Sequence, residues 1–467
     1  MDMIATVVVN SVELFIRQGT GIRTFSRSIV AALAGKGNSS LSLDLLISTT
    51  SETDSGVLAG SNILQKHSKK SRTEKIASVL RVKIMQLAKL SLWPLSHRLQ
   101  RAPAGHPLHD AILGKCLEDV ARDYSLPASD KLEQSACGRR GFLYAKNLFK
   151  DAPISFKLNR QLVHVRLPRS MSTGCGDRII YHSPLPYPVV VDGCINVATV
   201  HDLIPVSHPD LCLDDPAYFY DLLDSLLESC DGIHCISHYT ADQINRFYGA
   251  KASGKLFVAH QPIPLAHLND EFEANALRRY HDRHRMALGE GKYILQVGSI
   301  EPKKNHATTL EAFRYLREKD SSLRLVIIGK PGWLTEDLCD YLASAKSDGI
   351  EWLRSASYGT LIRYMQTASA VVFPSLVEGW GLPPLEAMSY GAPVVASPIP
   401  SCKEACGSAA LYVDNPLDSV SLSRHLTDIM NNLECANDLM RQGFARARLY
   451  GMQRFASDLS AGYRRLA

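Results

Sequence analysis

Four short apolar runs, Tyr293–Val297, Leu323–Ile328, Ala370–Phe373 and Pro393–Ala396, constrain this chain more than anything else in it. Helical patterns separate them at Ala307–Arg317, Thr335–Ala345, Tyr358–Ala368 and Leu385–Tyr390. Val- and Ile-rich runs without polar alternation suit strands covered on both faces, and strands alternating with helices suit a parallel sheet. A looser version of the rhythm comes earlier, with strands expected at Ile4–Val9, Leu41–Ile47, Ile179–Tyr181, Asn196–Val200, Ile233–Ile236 and Leu256–Ala259. Helices are expected there at Thr24–Leu33 and Ala217–Cys230. A chain of 467 residues is too long for one compact core. The reading is therefore α/β, with two doubly wound Rossmann-like domains in tandem.

The first domain is expected over residues 1–265, with an insertion at about 51–176 that fits no sheet. The boundary falls in Pro262–Gly291, whose polar, charged middle reads as a linker, and the second domain covers 290–450. Residues 451–467 read as a C-terminal helix returning to the first domain.

Bulk properties exclude several classes. Eleven cysteines, scattered without a CxxC pair, make neither a zinc site nor a disulfide framework, and suit free thiols in a reducing cytosol. No stretch has the length and apolarity of a spanning helix, and the first residues lack a signal-peptide pattern. From Lys66 to Arg101, ten basic residues stand against Glu74 alone. Ile76, Val79, Leu80, Ile84, Leu87 and Leu90 lie there at helical spacing, interrupted by Lys83. Residues 69–93 thus read either as a helix packed on the first domain or as a basic amphipathic helix for an anionic membrane surface. Without interleaved aromatic residues this segment does not suggest nucleic-acid binding.

Two stretches carry chemistry, each directly after a strand. In Pro374–Met388, Glu378 and Glu386 stand eight positions apart around Gly379, Trp380, Gly381 and Leu382, at the start of a helix. Glycines let the backbone come close to a ligand, a helix start offers free N–H groups, and two carboxylates can each hold the paired hydroxyls of a sugar or ribose. In Val297–Asn305, the adjacent Lys303 and Lys304 suit a diphosphate, whose charge must be neutralised as it leaves. The first domain adds a glycine loop, Gly19-Thr20-Gly21, and His201-Asp202 at a strand end, where His201 can touch a sugar or a departing phosphate.

At these residues the chain resembles glycosyltransferase family 4, retaining enzymes of the GT-B fold, in which two doubly wound Rossmann-like domains face each other across a cleft. PSLVEGWGLPPLEAMSYGAPVVAS resembles the family's paired-glutamate signature and VGSIEPKKN its phosphate-binding segment. VHDLIPVSHPD and Ser237-His238-Tyr239-Thr240 match further segments. The resemblance implies that Glu378 contacts the donor sugar and Glu386 the nucleotide ribose. It further implies that Lys303 and Lys304 hold the diphosphate with the N–H groups of Trp380-Gly381-Leu382, that Gly21 approaches the phosphates, and that His201 lines the sugar pocket. Among these, His201, Glu378 and Lys304 are the expected catalytic residues. No metal or other cofactor is implied.

Gly329-Lys330-Pro331-Gly332-Trp333 resembles bacterial mannosyltransferases of polysaccharide assembly, which points to GDP-mannose as donor. The acceptor would be a glycan or polyprenyl-diphosphate-linked oligosaccharide, met in the cytoplasm or at the inner face of the cytoplasmic membrane. UDP- or dTDP-linked donors, and a non-catalytic nucleotide-sugar-binding subunit, remain open alternatives. Two departures bear on donor selectivity. Cys402-Lys403-Glu404 replaces a serine-rich, proline–glutamate stretch, and Arg354–Gly359 lacks an aspartate common there.

Overall fold

The computed structural model describes residues 4–10, 21–34, 42–49, 96–98, 100–101, 141–146, 148–167, 178–285 and 292–467. The candidate membrane helix at 69–93, together with Gly19 and Thr20, lies outside them. Among the described residues no helix is long and apolar enough to cross a membrane, and eight cysteines are free thiols.

Two parallel sheets organise the chain. The C-terminal sheet has six strands, in the order Ile350–Leu353, Arg324–Ile328, Tyr293–Val297, Ala370–Phe373, Val394–Ala396 and Leu411–Tyr412. Every neighbouring pair in it is parallel. Its central strands are buried except at Arg324 and, in part, Val297, as their mostly apolar runs require. The strand order reverses between Tyr293–Val297 and Ala370–Phe373, and at such a reversal the connecting helices leave on opposite faces and open a crevice at the carboxyl ends.

The N-terminal sheet has eight strands. Its centre is Ile195–Val200, Arg178–Ser183, Ile4–Asn10 and Ser42–Thr49, flanked by Gly232–Cys235 and Leu256–Val258 on one side. On the other side come Gly141–Lys146 and the antiparallel edge Gln100–Arg101. Part of the expected insertion is thus sheet. Gly141–Lys146 pairs with Ser42–Thr49, Leu148–Asn159 is a helix, and Val163–Arg166 joins a separate three-stranded sheet.

The expected linker is also corrected. Asp270–Arg285 is a helix whose Ala276 and Tyr280 are buried against the C-terminal sheet, with the Tyr280 hydroxyl on the Ser369 carbonyl at 3.1 Å. Phe272, Ala276 and Tyr280 are one apolar stripe at four-residue spacing in an otherwise charged segment.

Met452–Leu466 lies on the N-terminal lobe. Phe455 packs edge-on against Phe25 at 5.9 Å, and the Tyr463 hydroxyl meets His182 Nδ1 at 2.5 Å. Beyond it, His182 Nε2 meets the Thr199 hydroxyl at 2.7 Å.

Candidate active site

Both informative stretches hang from the reversal point of the C-terminal sheet, because they follow its two central strands. Pro302–Lys304 is a single 3-10 turn that ends on Asn305 in the left-handed conformation, φ 53° and ψ 48°. Asparagine tolerates that conformation better than other side-chain-bearing residues. Here its amide also works, donating to the carbonyls of Pro374 at 3.0 Å and Pro416 at 2.7 Å. Gln296 holds the Lys304 carbonyl at 2.9 Å, and the Leu376 amide holds the Lys303 carbonyl at 2.8 Å. The lysine turn and the glutamate loop are therefore stitched together before any ligand arrives. Asn305 and Gln296 were not singled out by sequence; an asparagine between a turn and a helix was the available signal.

Across this seam Lys304 Nζ meets Glu378 Oε1 at 2.5 Å, with side chains only 15% and 12% exposed. The ammonium also lies 5.5 Å from the centre of the Phe373 ring. Lys303 reaches Glu301 at 3.8 Å. Burial pulls its pKa down, but Glu378, Asp202 and Glu301 outweigh that and raise it, so it stays charged. Asp202 comes from the other lobe. Burial, with Glu378 and Asp214, pushes its carboxyl up against the opposing pull of Lys303 and the Ile204 amide.

His201 ends the strand Ile195–Val200. Its Nε2 bonds the Pro184 carbonyl at 2.8 Å, and a carbonyl only accepts, so Nε2 carries the proton. Burial lowers its pKa to about 4, leaving a neutral ring whose Nδ1 is an acceptor. Phe25 packs edge-on against it at 4.9 Å. Gly21 opens the helix Gly21–Ala34 about one turn, or roughly 6 Å, before Phe25.

Gly379 has a different duty from the one read in the sequence. A Cβ on it would overlap the His201 carbonyl oxygen and come within 2.8 Å of the Asp202 Cβ. Its own carbonyl accepts from the Ser237 hydroxyl at 2.7 Å. The missing side chain makes room for the opposite lobe, not for a ligand. Gly379→Ala is expected to wedge the lobes apart and cut turnover about 100-fold while nucleotide affinity stays within a factor of about two. Steady-state kinetics beside calorimetry would show this, and an unimpaired variant would remove the contact's importance.

Trp380 is buried between His260, at 4.8 Å, and Tyr450, at 5.1 Å. Only its backbone is therefore a candidate for the crevice. Gly381 packs on Ala405, leaving 2.9 Å for a Cβ. Leu382 begins the helix Leu382–Ser389, whose start no side chain caps, so its positive end is available to an anion. Glu386 stands one turn in. Among the described residues its carboxyl has no hydrogen-bond or ion-pair partner, and burial pushes its pKa up to about 7. The structure therefore brings Lys303, Lys304, Glu378, Asp202 and His201 together, with Glu386 apart on the adjoining helix.

The family model "Glycosyl transferases group 1" matches residues 281–446, which contain both stretches. That stretch, less than half of the chain, resembles group 1 glycosyl transferases. Serotype-specific mannosyltransferase WbdA of Escherichia coli is 28% identical over 230 residues, 47% of this chain but 28% of WbdA. O-antigen chain mannosyltransferase B of Escherichia coli is 28% identical over 300 residues, 62% of this chain and 74% of that one. Among solved structures, sucrose-phosphate synthase from Thermosynechococcus elongatus superposes with a TM-score of 0.55 at 14% identity, over 99% of this chain and 98% of that one. Anabaena HepE in complex with UDP and glucose gives 0.52 at 10%, over 99% and 100%. These likenesses are of fold, and the fold is GT-B.

Proposed function

We propose that the chain is a retaining mannosyltransferase that moves mannose from GDP-mannose to a glycan or polyprenyl-diphosphate-linked acceptor in surface-polysaccharide assembly. One observation carries this: the Lys304–Glu378 pair at 2.5 Å, beside Lys303, at the reversal point of the sheet. The relatives named mannosyltransferases support the choice of sugar.

In this reading the two ammonium groups and the start of Leu382–Ser389 neutralise the diphosphate, so the reading calls on no metal ion. Glu378, oriented by Lys304, accepts hydroxyls of the sugar, and Glu386 accepts those of the ribose. Neutral His201 offers Nδ1 to a sugar hydroxyl near the anomeric carbon. The acceptor oxygen bonds to that carbon on the face from which the phosphate leaves. The carbon–phosphate oxygen bond breaks, and the leaving phosphate takes the acceptor's proton.

A thermal-shift screen with GDP-, UDP-, dTDP- and ADP-sugars tests the reading, because a bound ligand raises apparent stability. GDP-mannose should give the largest shift. A larger shift with another donor would change the nucleotide, and no shift with any would remove the donor site.

A further inference from the structure

We infer that Glu404 is a positioning residue that holds the two lobes in register by capping, from the C-terminal lobe, a helix of the N-terminal lobe. The inference rests on the reading of the crevice as the donor site.

Glu404 lies on the short helix Pro400–Cys406, after the strand Val394–Ala396. Its carboxylate leaves that lobe. Oε1 accepts the His238 amide at 2.7 Å and Oε2 the Tyr239 amide at 2.8 Å, the first two N–H groups of the helix His238–Tyr248. The third amide, Thr240, is held at 3.0 Å by the hydroxyl of Ser237, the ordinary cap. A helix start leaves four amides without partners, and here a residue 166 positions away supplies two. His260 Nε2 adds a third bond to Oε1 at 2.8 Å.

Both sides of this junction lead into the crevice. On the N-terminal side, the Ser237 hydroxyl donates to the Gly379 carbonyl and the Thr240 hydroxyl to the His201 carbonyl at 3.1 Å. On the other side the Glu404 carbonyl is fixed by Arg446 and, at 3.1 Å, by the Tyr450 hydroxyl. The cap therefore sets how close His201 comes to Gly379 and so to the Lys304–Glu378 pair. His238, His260 and Glu404 also bring three ligand atoms within 4.8 Å of one another. Yet both carboxylate oxygens face amides at the positive end of a helix, which favours an anion there over a cation.

Glu404→Gln in the full chain tests this, since a carboxamide has one acceptor oxygen and its NH2 would face an N–H donor. Three readouts apply: hydrogen exchange at the His238 and Tyr239 amides, GDP affinity by calorimetry, and GDP release from GDP-mannose. Exchange should quicken about tenfold and GDP release fall about 100-fold, with GDP affinity changed less than about twofold. Glu404→Asp, which keeps the charge but shortens the reach, should recover part of the protection. Unchanged exchange would overturn the inference, and so would a proportionate loss of GDP binding and release. If the wild-type protein binds no GDP, the donor reading fails, and exchange at the two amides still decides the cap.

Discussion

In Lys304→Met, turnover of the nucleotide-sugar is expected to fall about a thousandfold, because the leaving diphosphate loses a fixed positive charge in a site largely closed to water. The same change strands Glu378. Its carboxylate is 12% exposed and takes its short bond from Lys304, so removing the ammonium leaves a largely desolvated charge with no direct partner and only Lys303 nearby, at a cost of about 3 kcal/mol. Adding Glu378→Gln removes that charge as well. The double variant should regain most of the stability and none of the activity. Urea unfolding and GDP release separate the two effects. A single variant with wild-type turnover would end the site assignment, and a double variant as unstable as the single would end the pairing argument.

Glu386→Gln is expected to bind nucleotide about 30-fold more weakly yet fold more stably above neutral pH. Burial lifts the Glu386 pKa to about 7, above its unfolded value. The folded protein therefore holds that proton more tightly, and the contribution to stability is complete below the usual carboxylate range and lost as pH rises through about 7. By pH 8 roughly 3 kcal/mol has gone, and glutamine, which does not ionise, loses none of it. In the proposed reading the ionised form is the one that accepts both ribose hydroxyls, so wild-type affinity should strengthen as pH rises through about 7 and the variant's should not. Melting temperatures and GDP titrations across this range check both arms. Equal stability at pH 8 would show that the carboxyl is not held at a cost.

The central strands were legible because burial on both faces demands unbroken Val and Ile, and adjacent motifs at their ends followed directly. The edges were not. Ile350–Leu353 carries Glu351 and is half-buried, so it lacks that signature, and Leu411–Tyr412 is too short to show one. Asp270–Arg285 hid its apolar stripe among charges. In the candidate site, Lys303, Lys304 and Glu378 stood out by type and place, and the structure brings these three together. Glu404 could not, since its partners are backbone amides, which every residue but proline owns, and they lie 166 positions off. Gly379 was visible as a glycine, but what fills its empty side is the carbonyl of His201.

The return of Met452–Leu466 to the first lobe means that the polypeptide passes between lobes twice. The two passages touch, with the Ile263 amide on the Tyr450 carbonyl at 2.9 Å. A body tied to another by two neighbouring threads cannot slide or swivel freely. Any opening of the lobes would therefore pivot along an arc near Ile263 and Tyr450. Cutting the chain before Gly451 would leave one tether, and the arc would become a cone.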